Sequence, residues 1–129
     1  PSRLAGVIVV DTAGFDLTPG KHPLLFRSLV EKAFGADESV IRSASPLFRI
    51  DKATPYPAFL ILMSAERPYA VQEAEEFAEK LKKAGGKAEV IPVRNHNHRQ
   101  MNLGMYDPDS PVCREILKLI TPASRTLVR

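Results

Sequence analysis

Apolar residues follow two rhythms along this chain, and the rhythms alternate. Residues 4–10, LAGVIVV, are almost continuously apolar and rich in β-branched side chains, the pattern of a strand buried on both faces of a parallel sheet. The turn-forming stretch DTAGFDLTPGKHP follows. From Pro23 to Phe34 the spacing becomes helical, with Leu25, Phe26, Leu29, Val30, Ala33 and Phe34 recurring on one side. Pro23 suits a first turn, and Gly35 lies just past the end. A second strand is predicted at Ala58–Met63, AFLILM, introduced by TPYP, which disfavours helix before it. From Ala70 to Ala84, Val71, Ala74, Phe77, Ala78 and Leu81 form one apolar stripe. Glu76 to Lys80 and Glu79 to Lys83 are acid-before-base pairs on the wet side, and Gly85-Gly86 ends the helix. KAEVIPV reads as a third strand in which Pro92 implies an edge position or a break in the ladder. A last helix starts at Ser110 with Pro111 in its first turn and places Val112, Ile116, Leu119 and Ile120 on one face. The tail SRTLVR is predicted to be loose.

Strand alternating with helix predicts an α/β fold with a mainly parallel sheet flanked by helices. Ligands in such sheets bind at the carboxyl ends of the strands. Those ends carry Asp11 and Asp16 after the first strand, Ser64 and Glu66 after the second, and Asn95, His96 and His98 after the third. The length of 129 residues suits one domain, residues 1–129, and 44% apolar with 26% charged residues is a globular balance. Eighteen basic against 15 acidic residues are interspersed, so charge gives no sign of nucleic acid as a partner. The single cysteine, Cys113, excludes an internal disulfide framework and is expected to be structural. No apolar run approaches bilayer length and no leader pattern opens the chain, so a soluble, cytoplasmic protein without a membrane span is the expectation.

Glu66 falls three residues beyond the second strand and His96 three beyond the third. On neighbouring loops at one sheet edge, a carboxylate can orient an imidazole and fix its tautomer. A nucleophile would complete a triad, but no G-x-S-x-G occurs, and Ser28, Ser39, Ser43, Ser45 and Ser64 all lack that glycine frame. As H-x-H in an extended segment, His96 and His98 could share one side and bind zinc, yet spacing marks no third ligand, and no metal is predicted. Arg94, His96, His98 and Arg99 form a basic cluster without interleaved aromatics, which reads as a solvated loop rather than a phosphate site. His98, Met101, Met105 and Tyr106 are candidates to line a pocket; the apolar ones equally suit anchoring the loop to the sheet.

Taken in order, LAGVIVVDTAGFDL, SASPLFRI, the acid-bearing LMSAERPYA and the histidine loop VRNHNHRQ resemble the C-terminal half of the α/β-hydrolase fold. The likeness is to small esterases and lipases related to hormone-sensitive lipase, feruloyl-esterase-like enzymes and kynurenine formamidase, and it spans nearly the whole chain. It implies a serine carboxylesterase-type hydrolase of small-molecule esters that needs no cofactor. His96 would be the base and Glu66 the acid, with Asp11 and Asp16 as alternative acids because some relatives carry the acid after the preceding strand. The family's usual His-Gly-x-x-Asp reads LMSAE here. The resemblance also implies that the nucleophile and oxyanion amides belong to an N-terminal portion of the fold, on the same or a separate chain. Residues 1–129 would then be the C-terminal part of a larger domain, inactive in isolation. A non-catalytic α/β module that binds a ligand or partner is the other expectation.

Overall fold

The computed structural model describes residues 4–20 and 22–120. Within them β1 (Gly6–Val10), β2 (Ala58–Ser64) and β3 (Ala88–Val93) form one sheet in the order β1-β2-β3, with both pairings parallel. Between β1 and β2 lie α1 (Leu24–Phe34), α2 (Glu38–Ala44) and α3 (Pro46–Arg49); α4 (Pro68–Lys83) links β2 to β3, and α5 (His98–Gly104) and α6 (Pro111–Ile120) follow. The α/β architecture with helices flanking a parallel sheet is the one the hydrophobic pattern predicts.

Strand alternation divides the core into two layers. Ile61 and Met63 of β2, with Val9 and Val90, face α4 and meet Ala74, Phe77 and Leu81, together with Leu47 of α3 and Phe15. Phe15 stacks on Phe77 with ring centroids 4.4 Å apart. Leu60 and Leu62 point the other way and pack with Val10, Ile91 and Val93 against Met101 of α5 and Val112 of α6. Each fully buried leucine, isoleucine, methionine, valine or phenylalanine among them contributes about 1.5–3 kcal/mol by leaving water.

Three sequence expectations need correction. The strand buried on both faces is β2, whose residues Leu60 to Ser64 are buried; β1 is an edge strand, half-buried throughout, because nothing among the described residues pairs with its outer side. The apolar stripe of α1 is largely uncovered: Val30 is buried, but Leu25 and Leu29 stay exposed. On α6 only Val112 is buried, while Leu119 and Ile120 remain open. The short helices α2, α3 and α5 span seven, four and seven residues, too few for a stripe to show in the pattern. On α4, Lys80 reaches back to donate to the Leu47 carbonyl, and Glu79 lies 3.1 Å from Lys82. The SRTLVR tail lies outside the described residues.

The two edges differ. Lys87 O accepts from Phe59 and Val93 O from Ala65, so the odd residues of β3 direct their backbone groups to β2 and the even ones outward. Pro92 therefore faces the open side, where its missing N–H leaves the edge one donor short. On β1, Asp11 N–H donates to Leu62 O, which turns the amides of Gly6, Ile8 and Val10 outward with no proline among them. That edge remains able to pair.

Where α5 meets α6, Gly104 has no room for a side chain. A Cβ there would sit 2.5 Å from Ser110 Oγ and 3.3 Å from Val112. Gly104→Ala is expected to destabilise the fold by about 1–3 kcal/mol through overpacking, read as a lowered urea midpoint at unchanged slope.

Candidate active site

The carboxyl ends of all three strands converge on Asp11. This residue directly follows β1 in the left-handed region, φ 45°, a conformation that aspartate tolerates better than most residues. Its backbone N–H still makes a ladder bond to Leu62 O, 2.7 Å. The chain then turns away, leaving Ser64 N–H of β2 with no strand carbonyl to meet. Asp11 Oδ1 takes that place, 2.8 Å from Ser64 N. The carboxylate thus extends the ladder by one bond beyond the end of β1, and it is fully buried.

Asp11 Oδ2 meets two further groups, His98 Nδ1 at 2.8 Å and Arg67 Nη1 at 2.9 Å. His98 opens α5, and the reason lies in the loop before it. Asn97 accepts from Gln100 N–H, and Gln100 Oε1 accepts from Asn97 N–H, a capping box that starts the helix at His98. Ser64 Oγ donates to the His96 carbonyl, tying this loop to the end of β2. Asn95 takes the left-handed turn, φ 58°, that brings the chain round.

Hydrogen-bond chemistry fixes which ring nitrogen faces the acid. A carboxylate only accepts, so His98 Nδ1 carries the proton. Asn102 Nδ2 donates to the His98 carbonyl at 2.9 Å, which sets the amide's orientation, and the same nitrogen lies 3.3 Å from Nε2. With its side chain 63% exposed, His98 is braced from behind by a buried carboxylate and has the Asn102 amide beside its other ring nitrogen.

The loop leaving Asp11 is held by a second buried acid. Glu73 of α4 accepts from Gly14 N–H at 3.1 Å and Asp16 N–H at 2.6 Å. His22 Nε2 donates to the Asp16 carbonyl, while its Nδ1 is buried without a partner. The Asp16 carboxylate turns inward on its own loop, accepting from Thr18 N–H and Oγ.

The residues proposed from sequence are distributed as follows. His96 is half-buried with Nδ1 on the Arg94 carbonyl at 2.9 Å, and no carboxylate among the described residues reaches it. Glu66 is exposed, and its carboxylate bonds to neither histidine; its N–H donates to Ser64 Oγ. The neighbouring Arg67 pairs with Asp11. Met101 is buried in the core beneath α5, and Tyr106 is 83% exposed. Because His98 starts a helix, His96 and His98 do not share an extended segment. Among the described residues no three His, Cys, Asp or Glu side chains group as a metal site, and no helix is long and apolar enough to cross a membrane.

Comparison with known proteins adds no relative. No protein-family model matches the chain, and no curated protein or solved structure does either.

Ser64→Ala keeps the N–H on Asp11 and removes the tether to the His96 carbonyl. A loss of about 1 kcal/mol is expected, with faster amide exchange at residues 96–98 and little change in β2, measured by hydrogen–deuterium exchange.

Proposed function

We propose that this chain supplies the acid and the base of a serine-type carboxylic ester hydrolase, with Asp11 as the acid and His98 as the base. The observation that carries the reading is the 2.8 Å contact between a fully buried carboxylate and an exposed imidazole on strand ends of one parallel sheet. The order of the sequence segments supports it, since the resemblance to the C-terminal half of α/β-hydrolases leaves room for an acid after the first of these strands. The adjacent parallel arrangement of the three strands is compatible with that placement.

In this reading a serine hydroxyl delivered opposite Nε2 gives its proton to His98 as its oxygen attacks the ester carbonyl. The imidazolium then protonates the departing alcohol. A water, deprotonated by His98 in the same way, releases the acid from the acyl-enzyme. Asp11 holds the ring and stabilises its charged form. The nucleophile and the oxyanion amides come from polypeptide outside these 129 residues, docked on the open β1 edge, where outward amides and the exposed Leu24, Leu25 and Leu29 of α1 are available. No cofactor takes part.

The second reading, a non-catalytic module of hydrolase ancestry, draws on a different observation. The amide of Asn102 stands at Nε2, where a nucleophile would have to be, and no hydroxyl or thiol among the described residues does.

The test is hydrolysis of p-nitrophenyl acetate and butyrate by the naturally assembled protein, with intact mass recorded on the same material. His98→Ala is expected to lower kcat/KM about 10²–10⁴-fold, and Asp11→Asn to lower it strongly, while His96→Ala and Glu66→Gln stay within a few fold. The opposite pattern would return the base to His96. Absence of hydrolysis by a folded, fully assembled sample would favour the binding module.

A further inference from the structure

We infer that Arg67 is a positioning residue for the Asp11–His98 pair, a permanent countercharge that fixes the direction of the Asp11 carboxylate and leaves His98 neutral; the inference builds on the proposed hydrolytic site but rests on contacts of its own. Arg67 precedes α4, one turn from the end of β2. Its Nη1 donates to the Asp11 carbonyl at 3.1 Å and to Asp11 Oδ2 at 2.9 Å, so one nitrogen bridges main chain and side chain of the same residue. That bridge closes a ring across the left-handed Asp11 and resists rotation of its carboxylate. The far side of the guanidinium is held as well, because Nε and Nη2 donate to Tyr69 Oη at 3.3 and 3.1 Å. A planar donor fork anchored at both ends keeps its aim in a way that a flexible ammonium does not.

The electrostatic consequence concerns the proton on His98. A buried carboxylate calls for a positive partner. If the only candidate were the imidazole, the pair would favour imidazolium and carboxylate, and the Nε2 lone pair would be lost to a proton. Arg67 supplies the charge instead. Burial works against its charge, but the hydrogen bonds to Tyr69 and Asp11 outweigh that and hold the guanidinium above its ordinary pKa. His98 is then free to bind through a neutral Nδ1–H. Other charged or titratable groups near the pair in sequence are Arg94, His96 and Arg99 on the loop and helix of His98, and Glu66 beside Arg67. All but the half-buried His96 are exposed, and none bonds to the His98 ring or to the Asp11 carboxylate.

Nitrogen-15 spectra of the His98 side chain at neutral pH test this in the 129-residue chain, without reference to activity. The wild type is expected to show a neutral ring protonated at Nδ1. In Arg67→Gln the two ring nitrogens are expected to converge toward the imidazolium pattern, and in Arg67→Lys to return most of the way. Tyr69→Phe, which frees the far side of the guanidinium, is expected to give a smaller change in the same direction and serves as the readout if Arg67→Gln does not fold. An unchanged ring in every folded variant would overturn the inference. In the assembled enzyme Arg67→Gln is expected to lower kcat roughly tenfold or more at nearly constant KM, with partial recovery in Arg67→Lys. If the nitrogen pattern shifts as expected but no ester is cleaved by any form, the positioning role stands and the hydrolase reading falls.

Discussion

A carboxylate closed off from water has to find its hydrogen bonds within the protein, and at Asp11 that requirement organises the whole carboxyl edge of the sheet. One oxygen replaces the missing backbone acceptor beyond β1, and the other gathers Arg67 from the start of α4 and His98 from the start of α5. Each partner belongs to a different element. Removing the acid would leave the Ser64 amide, the guanidinium and the imidazole without their shared acceptor. The constellation is therefore a structural device as much as a chemical one, with Asp11 placed by strand pairing and His98 by the capped start of α5.

The rest of the fold makes that edge stiff. β2 is enclosed by two hydrophobic layers, and its last residue, Ser64, addresses both members of the pair: its amide meets the Asp11 carboxylate, and its hydroxyl meets the loop that carries His98. Glu73 plays a corresponding part for the segment after Asp11, with two backbone amides drawn onto one carboxylate. Buried polar groups are thus used where the chain must turn out of the sheet, and apolar ones where it must stay in.

How much of this could be read from the sequence follows from the length of each signal. The strands announce themselves as short runs of four or more apolar residues and α4 as five apolar positions at helical spacing; α2, α3 and α5 do not, because a helix of one or two turns shows no stripe. Asp11 is legible as a strand-end acid, but residue counting sets Glu66, not Asp11, level with His96. Counting fails there because α5 begins so early. The clue was present in Asn97 and Gln100, three apart, the signature of a capping box that makes His98 the first helical residue. No local pattern pointed to Arg67 or Glu73, whose partners are 56 to 59 residues away. The exposed apolar face of α1 was also beyond reach, since periodicity says that a helix has such a face and not whether anything covers it.

The contrast between the two margins of the sheet limits what the molecule can build. Adding copies side by side through successive β3-to-β1 contacts would require an outer β3 edge with its full set of donors, and Pro92 interrupts it. Strand addition at β1 meets no such gap, and whatever pairs there covers the adhesive surface. A single proline on the far strand therefore works against open-ended fibre growth and confines strand addition to the β1 margin.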